Sequence, residues 1–331
     1  MTTLPLVSIV MTTFNRRSLL ERSLRAIAEM DWPRDRLETI VVNNGSTDET
    51  AEWLESNQVP TDVTVVTIEQ NVPPAIARNR ALAVACGAVI AFTDDDCRPT
   101  SSWLHELLSA LTPDIGIAQG LTRPDPAQSV GPLSRSQWTL SEQGLYETCN
   151  IAYRRSALDL EGAAPFSTRM PDAIRRLLGR GLAVSAFGED TELAWRVKRH
   201  GVRSVFVEDA VVHHNVYDGD LGYVVRRSLL AAGFPALVKA CPELRRTMLW
   251  GGVFLSRRHA LGWLATVGLV AMIVHPGLGL AAVPYLWLAF EPGRRRGWRT
   301  TWRVGVARII RDVLEGWSAL YGSLRTGRLV L

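Results

Sequence analysis

Short apolar runs alternate with amphipathic segments through the first 120 residues of this 331-residue chain, and this alternation constrains the fold more than any other feature. Four runs rich in Val and Ile have the length of strands, and they cover 6–14, 38–43, 63–68 and 88–93. The segments between and after them have helical patterns, at 18–30, 47–56, 75–85 and 101–111. The alternation predicts an α/β domain with a doubly wound, mostly parallel sheet flanked by crossover helices.

The composition is that of a folded protein, because 47% of the residues are hydrophobic and only 21% are charged. The four cysteines show neither a C-x-x-C pair nor a metal-binding spacing, which argues against a disulfide framework and a zinc site. Residues 1–14 lack the basic and apolar regions of a secretory signal. We therefore expect a protein that stays on the cytoplasmic side.

Beyond Gly120 the alternation gives way to a region containing Pro, Ser and Gly, and regular patterns return later. These patterns predict a strand at 149–155, a helix at 188–200 and a strand at 202–212. We expect a first domain over 1–215, with halves at 1–120 and 121–215, then a helical linker at 216–258 and a membrane-associated helical region at 259–331.

A run of 31 residues, 260–290, contains no Asp, Glu, Lys or Arg and is long enough to cross a bilayer. His275, Pro276 and Gly277 interrupt it near the middle, so a re-entrant hairpin and one kinked span both fit. Arginines flank both ends of the run, which favours the hairpin because both ends then stay cytoplasmic. A buried helical subdomain is the remaining alternative.

The basic residues are concentrated beside this run. From Leu249 onward eleven Arg oppose three acidic residues, a net charge of +8, which leaves 4 − 8 = −4 for the preceding residues. Residues 302–324 repeat apolar side chains at helical spacing with Arg between them, as a basic amphipathic helix at a membrane interface does. This distribution predicts membrane lipids as partners and argues against nucleic-acid binding.

Asp94, Asp95 and Asp96 follow the apolar run at 88–93 directly. Ligands of open α/β sheets bind beyond the carboxyl ends of strands, where gathered carboxylates need a compensating cation. Mg²⁺ or Mn²⁺ fits that role, because it takes one or two carboxylates and completes its coordination with phosphate and water. A solvated acidic turn is the alternative, and the position after a strand favours the metal site.

Two weaker patterns accompany the acidic one. Residues 43–48 form a polar turn after a Val-rich strand, and Ser46 with Glu49 would suffice as a helix capping box. Arg78 lies in the helix that precedes the acidic strand. Its guanidinium could hold a diphosphate bidentately or simply belong to a solvated helix face.

Taken in order, these segments resemble the family 2 glycosyltransferases, nucleotide-sugar-dependent enzymes with the GT-A fold. The resemblance covers about residues 5–215 and is carried by VSIVMTTFNR at 7–16, IVVNNGSTD at 40–48, ARN at 77–79, FTDDD at 92–96, NIAYRR at 150–155 and GEDTEL at 188–193. It implies a nucleotide-diphosphate-sugar donor and a divalent metal, Mg²⁺ or Mn²⁺.

The resemblance implies roles for the donor-binding residues. Thr13, Asn15 and Arg16 match the segment that lines the nucleotide base pocket. Asn44 stands where many members have an Asp that contacts the base or ribose, which leaves the identity of the base open. Arg78 matches a diphosphate-binding arginine. Asp94, Asp95 and Asp96 match the D-x-D motif, which contacts ribose and metal.

The resemblance also implies the catalytic group. Asp190 matches the base of inverting members, and Glu189 would orient the acceptor or support the base. A helix N-terminus also favours acidic residues, so a purely structural role is the alternative. His213 and His214 match a region where some members provide a metal ligand, although a buried structural histidine is the commoner case.

We therefore expect an inverting, metal-dependent glycosyltransferase on the cytoplasmic face of the cell membrane. The membrane segment suggests a hydroxyl of a lipid-linked or cell-envelope glycan as the acceptor. A polyprenyl-phosphate sugar synthase and a non-catalytic scaffold that retains the fold are the alternatives. Asp94, Asp96 and Asp190 argue against the scaffold.

Overall fold

The computed structural model describes residues 4–56, 58–131, 133–167, 188–291 and 298–331. The described residues form two compact units. The first contains 4–128, 136–167 and 188–216, and the second contains 129–135 and the residues from 217 onward.

The first unit is built on an eight-stranded sheet with the order β3-β2-β1-β4-β7-β6-β8-β5. Its strands are β1 Val7–Thr13, β2 Leu37–Asn44, β3 Thr64–Ile68, β4 Val89–Thr93, β5 Cys97–Pro99, β6 Ile115–Pro124, β7 Asn150–Arg154 and β8 Arg203–His214. Its helices are α1 Arg17–Ala28, α2 Thr50–Leu54, α3 Pro74–Leu82, α4 Trp103–Ala110, α5 Arg155–Leu158 and α6 Glu189–Arg199, with 3₁₀ turns at Arg34–Arg36 and Asp159–Glu161.

The central strands are apolar because helices cover both faces of the sheet. All five residues of β4 are buried, as are the first four residues of β1, Val7, Ser8, Ile9 and Val10. Leu20 and Leu24 of α1 pack on one face with Trp103 of α4. The small residues of α3 pack on the other face, together with Phe92.

The sheet is mixed rather than uniformly parallel. β1 pairs with β2 and β4 in parallel, β2 pairs with β3 in parallel, and β6 pairs with β8 in parallel. β7 runs antiparallel to both β4 and β6, and β5 runs antiparallel to β8. The sequence predicted the four parallel strands of the first half but missed β5 and β6.

The structure corrects the predicted capping box at Ser46. Helix α2 begins only at Thr50, and its N-cap residue, Glu49, makes no side-chain capping bond. The Ser46 hydroxyl accepts instead from the backbone N–H of Asn15 at 3.1 Å, and Asp48 accepts from the N–H of Thr50 at 3.0 Å. The hydroxyl therefore joins two loops rather than capping a helix.

The second unit is helical in its described residues. Its helices are α7 Leu221–Leu229, α8 Phe234–Ala240, α9 Leu244–Thr247, α10 Arg257–Ala271, α11 Val283–Phe290 and α12 Trp298–Thr326, with 3₁₀ segments at Leu230–Gly233 and Pro276–Ala282. Among the described residues, the stretch Leu221–Ala240 meets the length and apolarity needed to cross a bilayer, with 20 residues, a hydropathy of 1.2 and 44% burial. Pro276–Phe290 is apolar but shorter.

The uncharged run at 260–290 folds back on itself as a hairpin, which we define as residues 257–290. Its two arms are α10 and α11. Helix α10 packs against the 3₁₀ segment Pro276–Ala282 and against α11, and glycines of α10 allow the close approach. A Cβ at Gly268 would lie 2.6 Å from the Ala281 Cβ and 2.7 Å from the Leu278 oxygen, so only glycine allows this approach. The arms therefore pack as a helical pair interrupted at the predicted break.

Candidate active site

The parallel strands β1, β2 and β4 end at one edge of the sheet, and the loops that follow them carry most of the predicted site residues. Asn15 and Arg16 follow β1, Asn44 ends β2, and the three aspartates follow β4. The carboxyl edge of a parallel sheet is the usual place for a ligand site, because the loops there are free to diverge. Residues from distant parts of the sequence thus meet at this edge.

Arg16 binds two of the three aspartates. Its Nη1 lies 2.9 Å from Asp95 Oδ1 and 3.2 Å from Asp96 Oδ2. Burial raises the pKa of Asp95 to about 7 despite the opposing charge of Arg16, and burial also raises the pKa of Asp94. The sequence predicted Arg16 in the base pocket, whereas the structure also places it against the acidic motif.

The predicted nucleotide-pocket residues hold their own loops in place. The Asn44 amide donates to the Val72 carbonyl at 2.8 Å and accepts from its N–H at 3.0 Å. Asn15 adopts a positive φ of 52° and accepts from the N–H of Thr47 at 2.7 Å. Thr13 is buried at the end of β1. Asn44 therefore uses both its side-chain N–H and its side-chain oxygen. An ionised Asp at this position would lack the N–H donor.

Arg78 connects the acidic motif with the segment that contains Asp190, the predicted catalytic base. Its Nη1 lies 2.9 Å from Glu189 Oε1, and its Nη2 lies 3.8 Å from Asp94 Oδ1. The guanidinium is buried and lies 5.6 Å from the centre of the Phe166 ring. Arg78 thus balances two carboxylates that are 95 positions apart in the sequence, 189 − 94.

Asp190 lies in the first turn of α6, where the helix N-terminus favours a negative charge. Its Oδ1 accepts from the backbone N–H of Thr191 at 2.8 Å. Burial raises its pKa, and this effect exceeds the lowering by Arg78 and by the backbone N–H groups. Burial and then the charge of Asp190 raise the pKa of Glu189 to about 7. Both carboxyls are therefore more basic than ordinary acidic side chains.

The structure separates the two predicted histidines. β5 and β8 pair so that Cys97 faces His214 and Arg98 faces His213. His214 Nε2 lies 3.4 Å from Asp96 Oδ1, whereas His213 Nε2 accepts from Arg123 Nε at 3.4 Å. Burial, then Arg123 and Arg98, lower the pKa of His213. Of the pair, His214 is the one that reaches the acidic motif.

The chemistry of the donor set fits a hard divalent metal at Asp96 and His214. Potential ligand atoms of Asp96, Cys97 and His214 lie within 4.8 Å of one another. Burial raises the pKa of the Cys97 thiol well above its usual value, so this sulfur stays protonated and is a poor ligand. A carboxylate and an imidazole remain, with Asp94 in the same loop, and Mn²⁺ or Mg²⁺ accepts such ligands.

A second cluster, in the other unit, does not fit a metal. Ligand atoms of His259, Asp312 and Glu315 also lie within 4.8 Å of one another. Arg258, however, binds both oxygens of Asp312 at 2.5 and 2.7 Å. The negative charge that a cation would need is therefore already compensated.

Sequence reasoning missed two groups at the site. Asp125 is fully buried and receives ion pairs from Arg98 at 2.6 Å and Arg22 at 3.1 Å, while its N–H donates to the His214 carbonyl. It therefore fixes the end of β6 beside the end of β8. A single Asp in an irregular region gives no sequence signal of this role.

Glu147 is the second missed group. Its carboxylate accepts from the Gln119 amide at 2.7 Å and from the Gln137 amide at 3.2 Å. Burial raises the pKa of Glu147, and the charge of Asp190 raises it further. The carboxylate thus belongs to the electrostatic environment of Asp190, and the sequence offered no motif that links the two.

Comparison with known proteins gives the family. Residues 8–159 match the family model described as Glycosyl transferase family 2. Residues 8–159 therefore form a family 2 glycosyltransferase domain. The chain is 27% identical over 173 residues to the glycosyltransferase AglE of Haloferax volcanii, a match that covers 49% of this chain and 57% of that protein.

Two further similarities support this assignment. The chain is 33% identical over 107 residues to the GalNAc(5)-diNAcBac-PP-undecaprenol beta-1,3-glucosyltransferase of Campylobacter jejuni, which covers 32% of this chain and 34% of that protein. Its fold matches that of the mannosyltransferase PcManGT of Pyrobaculum calidifontis, solved with GDP-Man and Mn²⁺, with a TM-score of 0.60, 22% identity, and coverage of 96% and 88% of the two chains. The chain spans less than two thirds of either curated relative.

These findings confirm the predicted GT-A fold and the resemblance to the family 2 glycosyltransferases. The mixed sheet with helices on both faces corresponds to that of the mannosyltransferase. Glycosyltransferases of this fold commonly use a divalent metal, in agreement with the donor set at Asp96 and His214.

Proposed function

We propose that this chain is an inverting glycosyltransferase that transfers a sugar from a nucleotide-diphosphate sugar to an acceptor hydroxyl by a single displacement. The observation that carries the proposal is the position of Arg78 between Glu189 and Asp94, at 2.9 and 3.8 Å. This guanidinium brings the acidic motif and the segment with the base to one location. The donor-binding and acceptor-activating groups therefore belong to one site.

Asp190 is the general base of the proposed reaction. Its raised pKa increases its affinity for the acceptor proton, and the backbone N–H of Thr191 fixes the orientation of its carboxylate. Glu189 forms an ion pair with Arg78 and supports the base by holding this guanidinium in the site. A single displacement needs no side-chain nucleophile, and the attacking oxygen inverts the configuration at the sugar carbon.

Asp94 and Asp96 form the donor side together with Arg16, Arg78 and His214. A divalent metal, when bound by Asp96 and His214, supplies positive charge for the departing nucleoside diphosphate. The two arginines provide additional positive charge at the same edge of the sheet. Asn44, through its contacts with Val72, shapes the loop beside the base without contributing charge.

The acceptor is a glycan hydroxyl on a lipid-linked or cell-envelope molecule. One relative is named for a diphosphate-linked undecaprenol glycan, and this supports the same acceptor class for this chain. A buried carboxylate of raised pKa suits the removal of a hydroxyl proton, whereas a lipid phosphate is already ionised and needs no base. The base therefore favours a hydroxyl over the polyprenyl-phosphate alternative.

The chain works at the cytoplasmic face of the membrane and binds lipids through its second unit. The support is the hairpin, on which Ile273 and Val274 are 89% and 87% exposed. Apolar surface of this kind is unfavourable in water and is stabilised in a bilayer. A lipid-linked acceptor would then lie in the same membrane.

The test is a donor screen. UDP-, GDP- and dTDP-sugars are incubated with the protein and Mn²⁺, Mg²⁺ or chelator, and both hydrolysis of the donor and thermal stabilisation are measured. We expect one nucleotide to stabilise the protein in a metal-dependent manner. Asp190→Asn should lower turnover about 10²- to 10⁴-fold and retain donor binding, with Asp209→Asn, an exposed aspartate, as the control. Unchanged turnover in Asp190→Asn would refute the base assignment.

A further inference from the structure

The hairpin contains a continuous apolar surface that nothing in the second unit covers, among its described residues. We define residues 267–280 as the hairpin tip. The exposed apolar side chains in it are Val267 at 63%, Leu269 at 53%, Val270 at 65%, Met272 at 42%, Ile273 at 89%, Val274 at 87%, Leu278 at 45% and Leu280 at 72%. Soluble proteins rarely leave an apolar patch of this size open to water.

The tip has a defined internal structure despite its exposure. Gly268 contacts the Leu278 carbonyl and the Ala281 methyl, and Gly279 lies against the sulfur of Met272. The His275 ring accepts from the Gly277 N–H at 3.2 Å and closes the turn between the arms. The tip is therefore a folded element whose two arms pack on each other and present apolar side chains outward.

The base of the hairpin has the opposite character. Arg258 forms two hydrogen bonds with Asp312, and the Tyr285 hydroxyl donates to the same carboxylate at 3.2 Å. His259 is buried, and its Nε2 lies 3.2 Å from Glu315. Paired charges of this kind are unfavourable in hydrocarbon, so the base sets a limit to how deep the hairpin can enter a bilayer.

The distance from this polar base to the tip matches one leaflet. Gly262 packs against the Tyr285 ring at the level of the polar contacts, and α10 ends at Ala271. The nine steps from Gly262 to Ala271, 271 − 262, rise about 14 Å along a helix, against a hydrocarbon core of about 30 Å. The hairpin is therefore too short to reach the opposite interface.

The residues around the polar base of the hairpin have the charge and polarity that favour contact with lipid headgroups. Arg257 and Arg303 are exposed, and they add positive charge beside the apolar surface. Trp287 and Trp317 are 53% and 55% exposed, and Trp side chains concentrate at membrane interfaces. An anionic leaflet therefore complements the charge and the polarity of this surface more closely than a second copy of the same basic chain.

We propose that the hairpin is a monotopic anchor that inserts residues 267–280 into one leaflet of an anionic membrane, with both ends of the hairpin on the same side. The proposal rests on the membrane association given under the proposed function, and it adds the depth and the direction of insertion. Of the two arrangements that fit the sequence, this is the re-entrant hairpin and not the single kinked span.

Vesicle flotation tests the insertion. The full chain is mixed with phosphatidylcholine vesicles with and without phosphatidylglycerol, and we expect flotation that increases with the anionic lipid. The double variant Ile273→Asp, Val274→Asp should lose flotation at least tenfold, because two carboxylates must be dehydrated to insert. The matched control, Leu140→Asp with Leu160→Asp, adds the same charge at exposed apolar sites in the first unit and should float normally.

Side-specific labelling tests the direction. Cys86 is exposed whereas Cys97, Cys149 and Cys241 are buried, so Cys86→Ser provides a background of low reactivity. Arg257→Cys and Glu291→Cys then mark the two ends of the hairpin. With protein added to preformed vesicles, both should react fully with an impermeant thiol reagent, while Val274→Cys should be protected once the protein is bound.

The outcomes separate the two proposals. If the wild-type chain does not float on either vesicle, membrane association fails and the anchor fails with it. If it floats but one end is protected, or the double aspartate variant floats normally, the one-leaflet anchor is wrong while membrane association stands. Self-association through the tip instead of lipid binding would appear as a dimer in light scattering that the double variant abolishes. Donor hydrolysis measured without vesicles tests the transferase separately.

Discussion

The carboxyl edge of the sheet in the first unit buries charged side chains, whereas the hairpin tip in the second unit exposes apolar ones. Asp95 and Glu189 are buried and Asp190 is half-buried, all three with raised pKa values, whereas the side chains of Ile273 and Val274 are almost fully exposed to water. Each arrangement is unfavourable for the isolated chain. Both regions are therefore suited to binding a partner. A charged, polar ligand would compensate the carboxyl edge of the sheet, and an apolar environment would cover the hairpin tip.

The largest effect should come from removing the central charge of the buried edge. Arg78→Ala leaves Glu189 buried without its partner and should lower the free energy of unfolding by about 3–5 kcal/mol in urea denaturation. Arg203→Ala breaks an exposed ion pair with Asp114 and should leave the free energy of unfolding almost unchanged, because water screens exposed charges. Equal losses in the two variants would show that burial does not distinguish the two pairs.

The next effect concerns the paired histidines. His214→Ala should weaken Mn²⁺ binding about 10- to 100-fold in calorimetry, because it removes the imidazole beside Asp96. His213→Ala is the matched control, one residue away and directed at Arg123, and it should leave the affinity within about twofold. A reversed result would assign the ligand to the other face of β8.

Removing the charge of Asp190, the proposed general base, should stabilise the fold in a pH-dependent manner. The pKa of Asp190 is raised in the folded state, so ionisation costs stability as pH rises from the ordinary carboxyl pKa, about 3.9, through the raised folded value. Asp190→Asn should therefore melt at a higher temperature than wild type above this window, and the difference should close as pH falls. Calorimetry at several pH values measures this, with Asp209→Asn showing no such trend.

A smaller shift is expected for the neighbouring carboxylate. The charge of Asp190 raises the pKa of Glu147, and repulsion between two carboxylates acts on both, so we expect Glu147→Gln to move the acidic limb of the kcat/KM profile to lower pH by less than about one unit. Gln137→Ala removes one amide donor and keeps the charge, and it should leave the limb in place or move it slightly upward. A limb that moves upward in Glu147→Gln contradicts the electrostatic link.

The smallest effect on stability should occur at the tip. Ile273→Ser changes a side chain that is 89% exposed, so the free energy of unfolding in solution should change by less than about 0.5 kcal/mol. Ile9→Ser, in the buried core of β1, should cost several times more. A large loss at position 273 would mean that the tip is covered in solution, and the contrast between the two regions would fail.

Much of the fold followed from the sequence where one physical signal dominates. β1, β2 and β4 are buried on both faces, so their unbroken Val and Ile runs could be recognised. β6 was missed because Gly116, Gln119 and Gly120 interrupt its apolar pattern. Gly120 is required by tertiary contact, since a Cβ there would lie 2.3 Å from the Ala210 carbonyl oxygen, and such contacts are not local in sequence.

The candidate site was predictable in its residue types but not in its partnerships. The acidic triplet and the Glu189–Asp190 pair stand out in the sequence, and the fold brings both to one edge. That Arg78 would bind Glu189 depends on pairing over more than a hundred residues, and no local pattern contains it. The choice between His213 and His214 depends on the register of β8 against β5, since adjacent residues of a strand point to opposite faces.

The close contact at Gly268 divides the hairpin into positions with different evolutionary freedom. Even a methyl group there would meet the Ala281 Cβ at 2.6 Å, so substitution would force the arms apart. The outward positions have no such neighbours, and exchange among Val, Ile, Leu and Met at Val270 or Ile273 preserves their chemistry. Apolar substitutions can therefore accumulate on the outward surface of the hairpin, whereas the contact at Gly268 allows only glycine.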